Sequence, residues 1–168
     1  MEFATTDSGF EETAARRFVL TNATLFALTL SHALLTWPLA DVLALFGGGI
    51  VVAFVAEAGV IRVGLLRHHV RPQVLGVPGA VLLGWPAFVY AAVRVAGLFL
   101  ADPVAVAALA AVLATLVDVV VDPPSLEEGA WAYPQSRLSG TRYRGVPWWN
   151  FAGWLAVVFL TAMLPTLV

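Results

Sequence analysis

The chain has 168 residues, 60% of them hydrophobic and 12% charged, with a formal net charge of −2 and a mean hydropathy of +0.87. That balance lies outside the range of a soluble domain of this size and lacks the basic surface a nucleic-acid binder needs. No cysteine is present, which excludes disulfides and thiolate metal sites, and three histidines leave little for a metal centre. The composition is that of an all-α integral membrane protein.

Residues 1–17 read as a polar N-terminal tail, mostly acidic before Arg16-Arg17, and 18–168 as a single transmembrane helical domain. Apolar character runs on from Phe18 well past the short core of a secretory signal, so the first span reads as retained. A membrane helix needs about 20 mostly apolar residues, and five segments qualify, roughly 18–37, 42–66, 76–100, 103–122 and 146–168. Trp37-Pro38 closes the first with an interfacial aromatic and a helix breaker. The second begins after Asp41 and passes through Gly47-Gly48-Gly49, small enough for another helix to pack closely. Pro86 interrupts the third. Asp102-Pro103 reads as an N-cap with proline in the first helical position. The fourth span is rich in Ala, Val and Leu until Asp118, and Asp122-Pro123-Pro124 is expected to stop it. The fifth starts at Val146-Pro147 and carries no charge to the C-terminus.

Arginine placement supports an odd count. Arg16 and Arg17 precede the first span, Arg67 and Arg71 separate the second and third, and Arg137, Arg142 and Arg144 separate the fourth and fifth. The opposite loops hold none, so five spans with a cytoplasmic N-terminus in the cell membrane satisfy the positive-inside rule. Arg94, inside the third span, is the exception.

An internal repeat is also visible. Gly76-Val77-Pro78 followed by Gly84-Trp85 has the spacing of Gly145-Val146-Pro147 followed by Gly153-Trp154. Each copy follows a span with acidic residues in its second half, Glu57 in one and Asp118 and Asp122 in the other. Read as a duplication, spans two to five form two parallel helix pairs about an axis along the membrane normal. The plainer reading is that Gly-x-Pro is simply a good way to begin a helix.

Several residues are candidates for chemistry. Asp118 and Asp122 are four apart and share a helix face, where the C-terminal end of the macrodipole and an apolar setting both oppose a negative charge. Intramembrane acids are functional by default, the alternative being headgroup-level solvated or capping groups. Glu57 is placed deeper, with Arg62 or Arg94 as its expected structural partner. His68 and His69 are adjacent and poorly disposed to share a metal, and His32 reads as a bundle-facing polar residue. Trp131, Tyr133, Tyr143, Trp148 and Trp149 form either an interfacial belt or, in part, a set of rings facing a carbocation.

Asp118 and Asp122-Pro123, then Gly129-x-Trp131, Tyr143-x-Gly145-Val146-Pro147 and Asn150-Phe151-x-Gly153-Trp154, resemble the signature of a membrane carotenoid-biosynthesis family. That family includes the carotenoid 1,2-hydratases, among them bisanhydrobacterioruberin hydratase. Glu57, Gly76-Val77-Pro78, Trp85 and Tyr90 resemble its earlier segment, so the likeness spans roughly residues 50–160. The resemblance implies a hydro-lyase without metal or cofactor that adds water to the terminal 1,2 double bond of an acyclic carotenoid dissolved in the lipid bilayer, alongside other carotenoid enzymes. On that reading Asp118 or Asp122 is the acid, and Glu57 or the other aspartate orients the water. Trp131, Tyr143, Asn150, Trp154 and Trp85 bind substrate. The chain departs from the family pattern at Leu65–Arg71, where a glycine- and tyrosine-rich stretch is expected, and five spans are fewer than expected.

The rival reading is a non-enzymatic protein, either a small transporter or a structural subunit of a carotenoid-synthesising complex. A transporter needs a continuous polar path, whereas spans one and four are almost wholly apolar until their last turns.

Overall fold

The computed structural model describes residues 12–135 and 140–168. Among these are five helices long and apolar enough to cross a membrane: α1 (Glu12–Thr36), α2 (Leu39–Arg62), α3 (Gly79–Ala96), α4 (Pro103–Glu127) and α5 (Trp148–Leu167). The chain is an all-α membrane protein of the multi-pass type. Residues 1–11 of the expected polar tail lie outside the described residues, as does Arg137. Residues 12–17 already belong to α1.

Local chemistry sets the helix ends. Asp102 Oδ1 accepts the Ala105 N–H at 2.9 Å and Pro103 takes the first helical position, as expected. The fourth helix does not stop at Asp122, however. It continues through Pro123 and Pro124 to Glu127. The carbonyls that Pro123 and Pro124 leave without helical donors are those of Val119 and Val120, while the Ser125 hydroxyl adds a bond to Val121 O at 3.0 Å one position further on. In α2 the backbone takes a π-helical turn over Leu43–Gly48. A Cβ on Gly48 would stand 2.8 Å from Leu164 Cδ1, and one on Gly49 3.0 Å from Thr161 Cγ2, so the glycine run is where α2 packs closely on α5.

The two halves repeat in detail. Both α2 and α4 end in a Schellman cap on a left-handed glycine: Gly64 (φ 75) and Gly129 (φ 84). Gly64 N–H donates to Ile61 O and Leu65 N–H to Val60 O, and in the second copy Gly129 donates to Leu126 O and Ala130 to Ser125 O. Each cap leads to a short strand, β1 (Arg67–His68) or β4 (Trp131–Ala132). A hairpin follows, β2 (Gln73–Val74) with β3 (Val77–Pro78), or β5 (Arg142–Tyr143) with β6 (Val146–Pro147). Both hairpins turn on two left-handed residues, Leu75-Gly76 (φ 52 and 85) and Arg144-Gly145 (φ 47 and 88), the type I′ pattern. The next helix then starts after Pro78 (φ −70, ψ 138) or Pro147 (φ −69, ψ 141). Composition and hydropathy gave no sign of these strands, which are only two residues long.

β1 and β4 pair antiparallel with Arg67 opposite Ala132, each the third residue past its cap glycine. That register is what a two-fold relation between the copies requires. Both α2 and α4 end at this strand pair, so they run parallel and the axis follows the bundle. Trp85 and Trp154, each seven residues past its proline, stack with ring centroids 4.2 Å apart and planes 10° from parallel. The interior beyond them is an apolar cluster that includes Leu45, Phe46, Val89, Ala107, Ala111 and Val158.

α1 is peripheral, and its seat on α3 depends on Gly84. A Cβ there would fall 2.1 Å from Asn22 Oδ1, in a side chain already tied through Nδ2 to Phe18 O at 2.9 Å. Gly84→Ala is expected to cost about 1–3 kcal/mol by overpacking. A thermal scan in detergent will read this as a lowered Tm, and Asn22→Ala in the same chain should recover most of it.

Candidate active site

The helix period places Asp118 and Asp122 on one face of α4, and the start of α5 brings Asn150 against both. Asn150 Nδ2 donates to Asp118 Oδ2 at 3.1 Å and to Asp122 Oδ2 at 2.9 Å. β4 and the residue after it supply two more donors: Trp131 Nε1–H to Asp122 Oδ1 at 2.5 Å, and Tyr133 O–H to Asp122 Oδ2 at 2.8 Å. Asp122, only 2% exposed, thus receives three hydrogen bonds, and Asp118 receives one. Burial, and after it the Asp122 carboxyl, push the Tyr133 phenol well above its usual range, so it keeps the proton that it donates to Asp122.

From the other half Glu57 faces the same space. His68 Nε2 lies 2.9 Å from Glu57 Oε2. The expected arginine partners do not appear: the ion pairs among the described residues are Arg17–Glu128, Arg144–Glu127 and His68–Glu57. Five residues along a helix is well off the same face, which turns Arg62 away from Glu57, and Arg94 lies at the far end of α3. The Schellman turn instead folds His68 back over the acid.

These groups converge on one cavity of about 300 Å³, lined by Glu57, Asp118, Asp122, His68, Trp131, Tyr133 and Asn150. Its apolar walls include Phe18 and Leu25 of α1, Trp85 and Phe88 of α3, Val117 and Val121 of α4, and Trp154 of α5. α1 packs along α3 and barely meets α4, although both line the cavity. The space therefore opens sideways between α1 and α4, toward what would be lipid. At the loop end Arg17 Nη2 bridges that gap to Glu128 Oε1 at 2.8 Å, an exposed pair that adds little stability by itself.

Seven of the residues singled out from sequence thus meet: Glu57, Asp118, Asp122, Trp131, Asn150, Trp85 and Trp154. Tyr143 is not among the lining residues. It sits opposite Val146 in the second hairpin, half-exposed, with its ring against Trp148 and Phe151. Trp148 is exposed in the manner of an interfacial belt, whereas Trp149 turns inward, edge-on to Tyr133. His69 Nδ1 bonds the Gly129 carbonyl at 2.9 Å, and His32 Nδ1 meets the Tyr90 hydroxyl at 2.6 Å on the far side of the bundle. Among the described residues no group of three or more His, Cys, Asp or Glu is disposed to hold a metal ion. Sequence reasoning named Tyr133 as a ring and His68 as a loop histidine but missed that each bonds an acid. The usable signal was their spacing, since each stands 11 residues past the acid it bonds.

The model of the carotenoid biosynthesis protein family matches residues 66–168. The chain belongs to that family. The match takes in α3 to α5, both hairpins and the Asp118–Asp122–Asn150 cluster, and bears out the resemblance carried by those motifs. Glu57 and α1 lie before the matched segment, yet they complete the cavity. No curated protein and no solved structure matches the chain.

Proposed function

We propose that this carotenoid biosynthesis protein is a cofactor-independent hydratase, adding water to the terminal 1,2 double bond of an acyclic carotenoid. The observation that carries the reading is a set of carboxyl groups at one end of an apolar, tryptophan-lined cavity that opens sideways between two helices. A long polyene dissolved in the bilayer needs lateral access, and its end group needs an acid in a dry site. Asp118, with one hydrogen bond against three on Asp122, is the better placed to give up a proton.

Its proton goes to the CH carbon of the trimethyl-substituted alkene, and the π pair becomes the new C–H bond. The tertiary cation left behind is stabilised by the Asp122 carboxylate, held in place by its donors, and by the faces of Trp131, Trp154 and Trp85. Water forms the C–O bond and loses a proton to Glu57, giving a tertiary alcohol. Tyr143, outside the cavity, has no part in the end-group chemistry.

The arginines on α1, β1 and β5 gather at the cavity end of the bundle, which supports a cytoplasmic N-terminus in the cell membrane and a site in the cytoplasmic half. Polar groups concentrate at that end while the far half is the apolar cluster. This favours a one-sided site over a transport path. The test is pigment analysis, by chromatography and mass spectrometry, of a lycopene-producing host expressing the chain. A new product one water heavier is expected. Unchanged pigment with both lycopene and a longer acyclic carotenoid, despite stable membrane expression, would leave the transporter or structural-subunit reading in its place.

A further inference from the structure

Aligning the two copies at their cap glycines exposes an asymmetry in the cavity. Glu57 stands seven residues before Gly64, and Asp122 seven before Gly129. Each acid meets a ring donor 11 residues further on, His68 in the first copy and Tyr133 in the second. The position matching Asp118 is Ala53, fully buried, and the position matching Asn150, counted from the helix-opening prolines, is Val81, which packs with it. One half of the cavity therefore carries two acids linked by an amide. The other carries a single acid and a histidine.

His68 is almost fully buried, its side chain 4% exposed. Trp131 meets the ring edge-on at 5.9 Å, and among the described residues Nδ1 is buried without a hydrogen-bond partner. A phenyl ring would suit such a place. Among the described residues the one hydrogen bond of the imidazole is to Glu57 Oε2, where a carboxylate accepts Nε2–H and leaves Nδ1 bare. That bond fixes one Glu57 oxygen and leaves Oε1 for the cavity.

We propose that the first half is the water arm of the hydratase, with Glu57 the base that receives the proton of the attacking water and His68 the positioning residue that holds it. The proposal rests on the hydratase reading. In each turnover one proton leaves Asp118 for the alkene carbon and one passes from the attacking water to Glu57. Its return to Asp118 through cavity water resets both, so only alkene and water are consumed.

The test compares wild type, His68→Phe and His68→Gln in proteoliposomes loaded with an acyclic carotenoid. Phe keeps the packing and removes the donor, while Gln restores a donor near the Nε2 position. His68→Phe is expected to lower kcat about 100-fold with KM within about twofold, and His68→Gln to regain at least about tenfold of that loss. Equal rates for Phe and Gln, or a wild-type rate for Phe, overturn the proposal. Because the Phe variant risks misfolding, Glu57→Gln and the Glu57→Gln/His68→Gln double variant supply an independent check. Acting only through Glu57, His68 should cost nothing further once Glu57 is gone, and additive losses overturn the assignment. Wild type that hydrates while His68→Phe is unimpaired removes this inference alone. Wild type that leaves every acyclic carotenoid unchanged removes the hydratase reading along with it.

Discussion

Asp118→Asn should abolish hydration and leave the fold intact. General acids contribute typically 10²–10⁴ in rate, and no other cavity acid can readily take over from Asp118, so a loss of roughly 10³-fold is expected. Asp122 is engaged by three donors and Glu57 lies in the opposite half. An amide oxygen at position 118 can still accept from Asn150 Nδ2, so the contact between α4 and α5 survives. The Tm should therefore stay within the small range typical of a neutral substitution. The measurement pairs pigment chromatography with a thermal scan of the purified protein. An Asp118→Asn chain that still yields hydrated carotenoid at the wild-type rate would move the proton donor elsewhere. A chain that loses product only because it fails to accumulate would make Asp118 a packing group.

What could be read from sequence divides along a physical line. Hydropathy, Gly/Pro punctuation and the four-residue spacing of Asp118 and Asp122 are local, and they place five spans, the Asp102 cap and the acidic face of α4 correctly. The repeat was visible in Gly-Val-Pro and Gly-Trp for the same reason. The bonds from Tyr133 and His68 to the acids were not visible, because each of these residues arrives through a Schellman turn and a strand pairing that no periodicity encodes. Glu57 was therefore expected to meet an arginine, and His68 to be a loop residue. The continuation of α4 through Pro123-Pro124 was hidden too, since proline's propensity reads as a stop and tertiary packing overrides it here. Tyr143 carries part of the family-like motif but pairs with Val146 in a hairpin outside the cavity lining. Sharing a motif with cavity residues is not the same as sharing their cavity.

Asp122→Ala is expected to do what Asp118→Asn does not, and destabilise the bundle. The carboxylate ties together three elements: α4 through its own backbone, α5 through Asn150, and the β4 segment through Trp131 and Tyr133. Truncation leaves an indole N–H and a phenolic O–H without their acceptor in a buried site, and weakens the hold on Asn150. Each stranded donor costs about 1–3 kcal/mol, and since such losses are not additive a total of about 3–5 kcal/mol is expected. In a thermal scan this should exceed the Gly84→Ala effect, and Asp122→Asn should fall between wild type and Asp122→Ala. The amide keeps one acceptor oxygen but presents an NH₂ to donors that expect a second. Measured side by side, the two aspartates separate the roles that their four-residue spacing conceals. A stable, inactive Asp118 variant beside an unstable Asp122 variant fits a proton donor mounted next to a structural anion. Equal stability in both would mean that the three bonds to Asp122 do not hold the site together.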